Sequence, residues 1–144
     1  MKTLKQFVKE SHIPEKLIRA TVRQFGGWQS FRECYHDVAK YGMGGGFHGF
    51  IYYDDTVPFA RKNRKEIIQM LFDYADEMDV SVEAFVASFE FFNQKMDSED
   101  RMELYRFLSR NIKKNDVIIP NLMAWFAAEE VCRSYDELND ELYY

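Results

Sequence analysis

A histidine close to two carboxylates is the first group in this sequence that could do chemistry. His48 lies in a glycine-rich stretch, and Asp54 and Asp55 follow it within a few residues. A histidine near carboxylates can act as a general base or bind a metal ion. The same spacing also fits a loop histidine that hydrogen-bonds the backbone or a neighbouring aspartate. We favour this second interpretation, so the sequence predicts no catalytic residue.

Two further patterns bear on cofactors. The stretch Gly44–Gly49 matches the Gly-x-Gly-x-x-Gly pattern of dinucleotide sites. That pattern binds a pyrophosphate when it follows a strand and opens a helix, whereas here a predicted helix precedes it. Cys34, His36, His48 and Cys132 offer zinc-binding atoms, but their spacing matches no compact ligand set. The sequence therefore predicts no cofactor and no metal, and we expect both cysteines to be buried thiols.

Charge is distributed unevenly along the chain. Residues 1–72 carry twelve Lys and Arg against seven Asp and Glu, and residues 73–144 carry seven against seventeen. The basic half could follow a phosphate backbone, or its charges could only form a solvated helix face, and the acidic half could bind a basic partner. Carboxylates along the acidic half could imitate DNA phosphates, or they could only keep a helical protein soluble. Attraction between the two halves within one fold is a further interpretation.

All seven glycines lie between Gly26 and Gly49, and several aromatic residues adjoin them. Glycine allows backbone geometry that a side chain forbids, and exposed aromatic residues often anchor interfaces. This stretch and the basic cluster after it form our predicted contact surface. Its members are Gly44, Gly45, Gly46, His48, Tyr52, Tyr53, Asp54, Asp55, Arg61, Lys62, Arg64 and Lys65.

The elements that must position these residues are helices. Apolar residues recur at three- and four-residue spacing through most of the chain. Gly26 follows one such helix where a left-handed cap residue belongs, and Ser30 with Glu33 forms a capping-box pattern for the next. Asp54, Asp55 and Thr56 are N-cap candidates for a long helix. The predicted helices cover residues 2–10, 14–25, 30–42, 57–78, 81–92, 97–111 and 116–135.

One compact, mainly α domain over residues 1–144 accounts for this series, with six to seven helices. A short extended segment is predicted over 47–53, and the acidic tail at 136–144 is expected to fray. No apolar run approaches the roughly 18 residues that a membrane helix needs. The first nine residues lack the apolar stretch of a signal peptide. We therefore expect a cytoplasmic protein with no membrane partner.

Three segments resemble a known protein family. They are Gln24–Trp28, Gly46–Thr56 and Ala124–Val131, which read QFGGW, GFHGFIYYDDT and AWFAAEEV. They are similar to small uncharacterised proteins of phages and plasmids, and the similarity is strongest over residues 3–67 and 120–135. The family has no assigned activity, so the resemblance assigns no functional residue. It implies an accessory protein of a mobile element.

Such accessory proteins often bind and disable a host protein, including restriction or CRISPR machinery. The resemblance, the segregated charge and the lack of a catalytic set together favour a non-enzymatic protein that binds a host protein or defence complex. An anti-defence inhibitor, either anti-CRISPR or anti-restriction, is the specific expectation. The alternative is a nucleic-acid-binding regulator that uses the basic N-terminal half.

Overall fold

The last helix is the element around which the others are arranged in the computed structural model of the chain. The structure describes residues 3–41, 53–88, 97–109 and 118–140, and these ranges contain eight helices and no strand. The mainly α prediction is confirmed. The helices are α1 (Leu4–Glu10), α2 (Glu15–Gln24), α3 (Trp28–Tyr41), α4 (Tyr53–Lys62), α5 (Arg64–Glu77), α6 (Val82–Ser88), α7 (Ser98–Ser109) and α8 (Ile118–Asp140).

Helix α8 is buried on almost every side. It packs most extensively against α3 and α4, and it also contacts α1, α2 and α7. Ala124, Ala127 and Ala128 are fully buried, and their single methyl groups let neighbouring helices approach closely. Phe126 and Tyr135 fill the wider spaces along the same helix. None of the helices in the described ranges is long and apolar enough to cross a membrane.

An aromatic cluster joins α1, α3 and α8. The fully buried Phe31 ring lies at its centre, with ring centroids 6.1 Å from Phe7 and 5.4 Å from Tyr135. Trp28 stacks on Phe31 at 5.6 Å, and Tyr35 meets Tyr135 edge-on at 4.5 Å. Edge-on and offset contacts of this kind add to the free energy gained by burying the rings. The cluster therefore holds α1 and α3 against α8.

Two glycines separate α2 from α3. Gly26 has φ +97°, and its N–H and that of Gly27 donate back to the carbonyls of Arg23 and Val22. This pattern closes α2 with a left-handed cap, so the role predicted for Gly26 is confirmed. The prediction of a capping box at Ser30 and Glu33 was wrong, because α3 already begins at Trp28 and Ser30 lies inside it. The carbonyl of Gly27 accepts the first hydrogen bond of α3, from Phe31.

The single helix predicted over 57–78 is two helices that meet at Asn63. The side-chain amide of Asn63 donates to the Phe59 carbonyl at 2.9 Å, and its backbone at φ −112° and ψ 15° leaves helical geometry. The backbone N–H of Asn63 donates to the same carbonyl at 3.1 Å, so the Phe59 carbonyl accepts two hydrogen bonds where the helices meet. Helix α4 already begins at Tyr53, so Asp54, Asp55 and Thr56 lie within it and are not N-caps.

The predicted starts of α6 and α7 agree with the structure to within one residue, whereas α8 ends later than predicted. Ser81, where the sequence predicted a helix to begin, precedes α6, and its hydroxyl accepts from the Ala84 N–H at 3.1 Å. Helix α7 begins at Ser98 as expected. Helix α8 continues through Asp140, so residues 136–140 are helical. The predicted extended segment lies outside the described residues except for Tyr53, which is the first residue of α4.

The end of α5 offers a direct stability test. Asp79 has φ 56°, and the N–H groups of Asp79 and Val80 bond the carbonyls of Asp76 and Ala75. Glycine adopts this left-handed conformation without the steric cost that a side chain brings. We expect Asp79→Gly to raise the free energy of unfolding by about 0.5–1 kcal/mol, as measured by thermal and denaturant unfolding.

Asp79→Asn is the matched control, because it removes the negative charge at the helix C-terminus and keeps a side chain with similar left-handed tolerance. If Asp79→Asn raised the free energy of unfolding as much as Asp79→Gly, the effect would come from the lost charge. A loss of stability in Asp79→Gly would contradict the explanation.

Candidate interaction surface

The predicted contact surface falls partly outside the described residues. Gly44, Gly45, Gly46, His48 and Tyr52 all lie in the stretch 42–52, so their arrangement stays a prediction. Tyr53, Asp54 and Asp55 form the first turn of α4, where the structure describes the backbone only. The general-base and dinucleotide patterns around His48 therefore also stay untested predictions.

The basic cluster lies at the junction of α4 and α5. Arg61 and Lys62 are exposed in the last turn of α4, and Lys65 is exposed in the first turn of α5. Arg64 differs from the outward position that the sequence predicted. Its guanidinium group donates to the Phe107 carbonyl and lies 5.4 Å from the Phe107 ring centre. Burial lowers the pKa of Arg64, and the side chain connects α5 to α7.

Helix α2 brings further positive charges to this junction. Lys16 Nζ donates to the Lys62 carbonyl at 2.8 Å and lies 3.4 Å from a Glu66 carboxylate oxygen. Arg19 and Arg23 follow Lys16 at helical spacing and are also exposed. We call this region the basic surface. It consists of Lys16, Arg19, Arg23, Arg61, Lys62 and Lys65.

Two carboxylates lie among these positive charges. Glu66 faces Lys16, and Glu15 lies 3.7 Å from Arg19 at i,i+4 spacing. Exposed ion pairs of this kind contribute little to stability. They divide the positive potential of this region into a pattern of alternating sign.

The charges of α5 oppose its helix dipole at both ends. Arg64 and Lys65 begin the helix, and Asp76 and Glu77 lie in its last turn, which carries no basic residue. A helix N-terminus favours negative charge and a C-terminus favours positive charge, each by about 0.3–1 kcal/mol. Only Glu66 in the first turn follows that preference. The Phe107 contacts explain the position of Arg64. The helix dipole does not explain the positions of Lys65, Asp76 and Glu77.

A polar network that the sequence analysis missed connects three parts of the chain. Tyr74 Oη donates to Glu130 Oε2 at 2.9 Å, and His12 Nε2 lies 3.1 Å from the same hydroxyl oxygen. Arg133 donates to Glu130 at 3.1 Å and reaches the buried Glu129 at 3.4 Å. No sequence motif marks this network, because its members come from the α1–α2 connection, α5 and α8.

The network makes stability sensitive to alkaline pH. Burial, and then the neighbouring Glu130, raise the pKa of Tyr74 far above its usual value. An unfolded tyrosine ionises near pH 10. Stability from neutral Tyr74 is therefore complete below about pH 10 and decreases as pH rises further, because only the unfolded chain releases the proton.

We expect Tyr74→Phe to lower the free energy of unfolding by about 1–2 kcal/mol at pH 7, since the hydrogen bonds of the hydroxyl to Glu130 and His12 are lost while Arg133 still contacts Glu130. Above about pH 10, the wild-type protein should lose stability more steeply than the variant. Urea unfolding between pH 7 and 11 measures both effects. Parallel pH curves for the two proteins would contradict the assignment.

Both cysteines are free thiols; Cys132 is buried as expected, whereas Cys34 is only half-buried. Burial is the largest cause that raises the pKa of each thiol, so both stay protonated at neutral pH. His36 Nδ1 lies 3.2 Å from a carboxylate oxygen of Asp136. Within the described ranges, no group of three or more His, Cys, Asp and Glu side chains is placed to hold a metal ion.

Fold and surface together define a small helical protein with a mixed-charge, predominantly basic surface at one helix junction. The family described as a domain of unknown function (DUF7222) matches residues 2–141. The chain therefore belongs to this family. No curated protein matches the chain, and no solved structure matches it either.

Proposed function

We propose that the protein is a non-enzymatic accessory protein of a phage or plasmid that binds a host protein. Its partner presents an acidic surface, and the binding inhibits a defence complex of the restriction or CRISPR type. The resemblance of three segments to proteins of mobile elements supports this setting. The basic surface supports the chemistry of recognition.

One observation carries the proposal. Positive side chains from two separate segments of the chain meet at the α4–α5 junction, where Lys16 Nζ contacts the Lys62 carbonyl. Lys65 lies in the first turn of α5, where the helix dipole disfavours positive charge. Residues that break a local stability rule without local compensation are often retained for function. An acidic partner would attract Lys65 together with the other positive side chains of the basic surface.

The carboxylates within the basic surface favour a protein partner over nucleic acid. A nucleic-acid backbone presents closely spaced negative charges, which Glu15 and Glu66 would repel. A protein surface can instead place a positive side chain opposite each carboxylate. Complementary patterns of this kind mainly supply specificity and fast association.

A charge-reversal experiment tests the proposal. Tagged wild-type protein and the variant Arg19→Glu/Lys62→Glu are used to capture proteins from host lysate under identical conditions. Both positions are exposed, so the fold should persist. We expect a host protein that the wild-type captures to be reduced at least about tenfold with the variant, because two attractions become repulsions.

Lys5→Glu/Lys9→Glu is the matched control, since it makes the same charge change on exposed positions of α1. It should capture the host protein as the wild type does. Equal loss in both variants would show a nonspecific charge effect. Failure of the wild type to capture a specific host protein would also contradict the proposal.

The alternative function, nucleic-acid binding, rests on the same basic surface. A gel-shift assay at low salt with duplex and single-stranded DNA and RNA tests it, because phosphate contacts are strongest there. We expect no shift. A shift that Arg19→Glu/Lys62→Glu abolishes would replace the proposed function with the alternative.

A further inference from the structure

We propose that helix α5 is a self-association surface, on which α5 of a second copy packs in antiparallel orientation. One face of α5 carries Lys65, Gln69, Phe72 and Asp76, all of them exposed. Their spacing of four, three and four residues places them in one row along the helix. The row is basic at its start, apolar near its middle and acidic at its end.

The charge pattern of this row is complementary to the same row of a second copy that runs in the opposite direction. A two-fold axis midway between Gln69 and Phe72 places Lys65 opposite Asp76 of the second copy, and Gln69 opposite Phe72. The same axis repeats each contact with the copies exchanged, as a two-fold interface requires. A parallel arrangement would instead place like charges together at both ends.

Phe72 supplies the apolar centre of this face. The residue is 45% exposed, and the half-buried Ile68 precedes it by one turn and extends the apolar centre. Gln69 donates to Asp73 at 2.9 Å, which holds the amide on the surface beside Phe72. An apolar centre between charged ends matches the usual anatomy of a protein interface.

The helix dipole gives an independent reason for the antiparallel orientation. The charges at both ends of α5 oppose its own dipole. In the antiparallel pair, Asp76 of the second copy approaches the N-terminus of α5, and Lys65 of the second copy approaches its C-terminus. Each end thus gains the charge that it favours. A second copy therefore offsets the unfavourable charge placement that the single chain leaves unexplained.

The area of one helix face makes this dimer weak. Interfaces that bury less than about 1,200 Å² in total are typical of transient complexes. Exposed ion pairs are also screened by salt. We therefore expect a dimer that forms at high protein concentration and low ionic strength and dissociates as salt is added.

A charge exchange tests the inference by sedimentation equilibrium of the purified protein at low ionic strength. Lys65→Glu and Asp76→Lys should each shift the protein to monomer, because each places like charges opposite each other twice. The double variant Lys65→Glu/Asp76→Lys should restore the dimer, since the two charges then exchange places. Both single changes follow the helix dipole preference, so unfolding does not explain a lost dimer.

Phe72→Ser should weaken the dimer, while Lys5→Glu, which makes the same charge change on α1, should leave it intact. A wild-type protein that stays monomeric at low salt would overturn the inference. A double variant that stays monomeric although wild type dimerises would also overturn it. The measurement needs no host protein, so its outcome is separate from that of the proposed function.

Discussion

Replacing Phe31 by alanine is expected to lower the free energy of unfolding by about 3–5 kcal/mol, the range for removing a fully buried phenylalanine. The Phe31 ring has no exposed surface and lies within 6.1 Å, centroid to centroid, of Phe7, Trp28 and Tyr135. Its loss would leave a cavity where α1, α3 and α8 meet, and those helices cannot all close around it. Guanidinium unfolding measures the change.

Phe72→Ala is the matched control, because it removes the same side chain from an exposed site on α5. We expect its effect to stay within about 0.5 kcal/mol, as for most surface substitutions. The salt in guanidinium solutions also suppresses any self-association through that face. Equal losses at the two positions would contradict the placement of the core around Phe31.

Gly27→Ala is expected to lower the free energy of unfolding by about 1–3 kcal/mol, because Gly27 has φ +115°. The space around an added Cβ is open, since no atom that it would meet lies within 4 Å. The cost therefore comes from backbone strain alone. Thermal and denaturant unfolding measure it.

Gly26→Ala makes an informative comparison. An added Cβ at Gly26, where φ is +97°, would lie 3.3 Å from the hydroxyl oxygen of Ser30. Removing that hydroxyl with Ser30→Ala should recover part of the cost at Gly26 and none of the cost at Gly27. A Gly27→Ala variant as stable as the wild type would show that the backbone relaxes, and that outcome would contradict the strain argument.

Hydrophobic periodicity was sufficient to predict the helical class and most helices. The pattern around Leu17 and Val22, closed by Gly26, identified α2 and its cap because the signals are local. Helix starts were harder to predict. The capping-box pattern at Ser30 competed with the Gly27–Trp28 junction, and the positive φ angles of the glycines allowed α3 to begin earlier.

Errors arose where a single side-chain contact, either local or tertiary, decided the outcome. Nothing in the sequence around Asn63 indicates that its amide will bond the Phe59 carbonyl and divide a long helix. Arg64 was predicted to face solvent, whereas the Phe107 ring and carbonyl on α7 hold its guanidinium group. Arg64 and Phe107 lie 43 positions apart, a separation over which periodicity carries no information.

In the candidate surface, too, local charge runs could be predicted from the sequence and contacts between distant residues could not. The basic cluster at Arg61, Lys62 and Lys65 was visible in the sequence as a run of charges. The addition of Lys16 required the fold, because only packing places α2 beside the α4–α5 junction. The network of Tyr74 and Glu130 likewise has no local signature, since its members lie on separate helices.

Zero-length cross-linking of the protein to its captured host protein tests the central claim most directly. A carbodiimide joins lysine amines to carboxylates that touch them, so the positions of the links report where an acidic partner binds. The account predicts links from Lys16, Lys62 and Lys65 to carboxylates of the host protein. Links confined to Lys5 and Lys9 on α1 would contradict it.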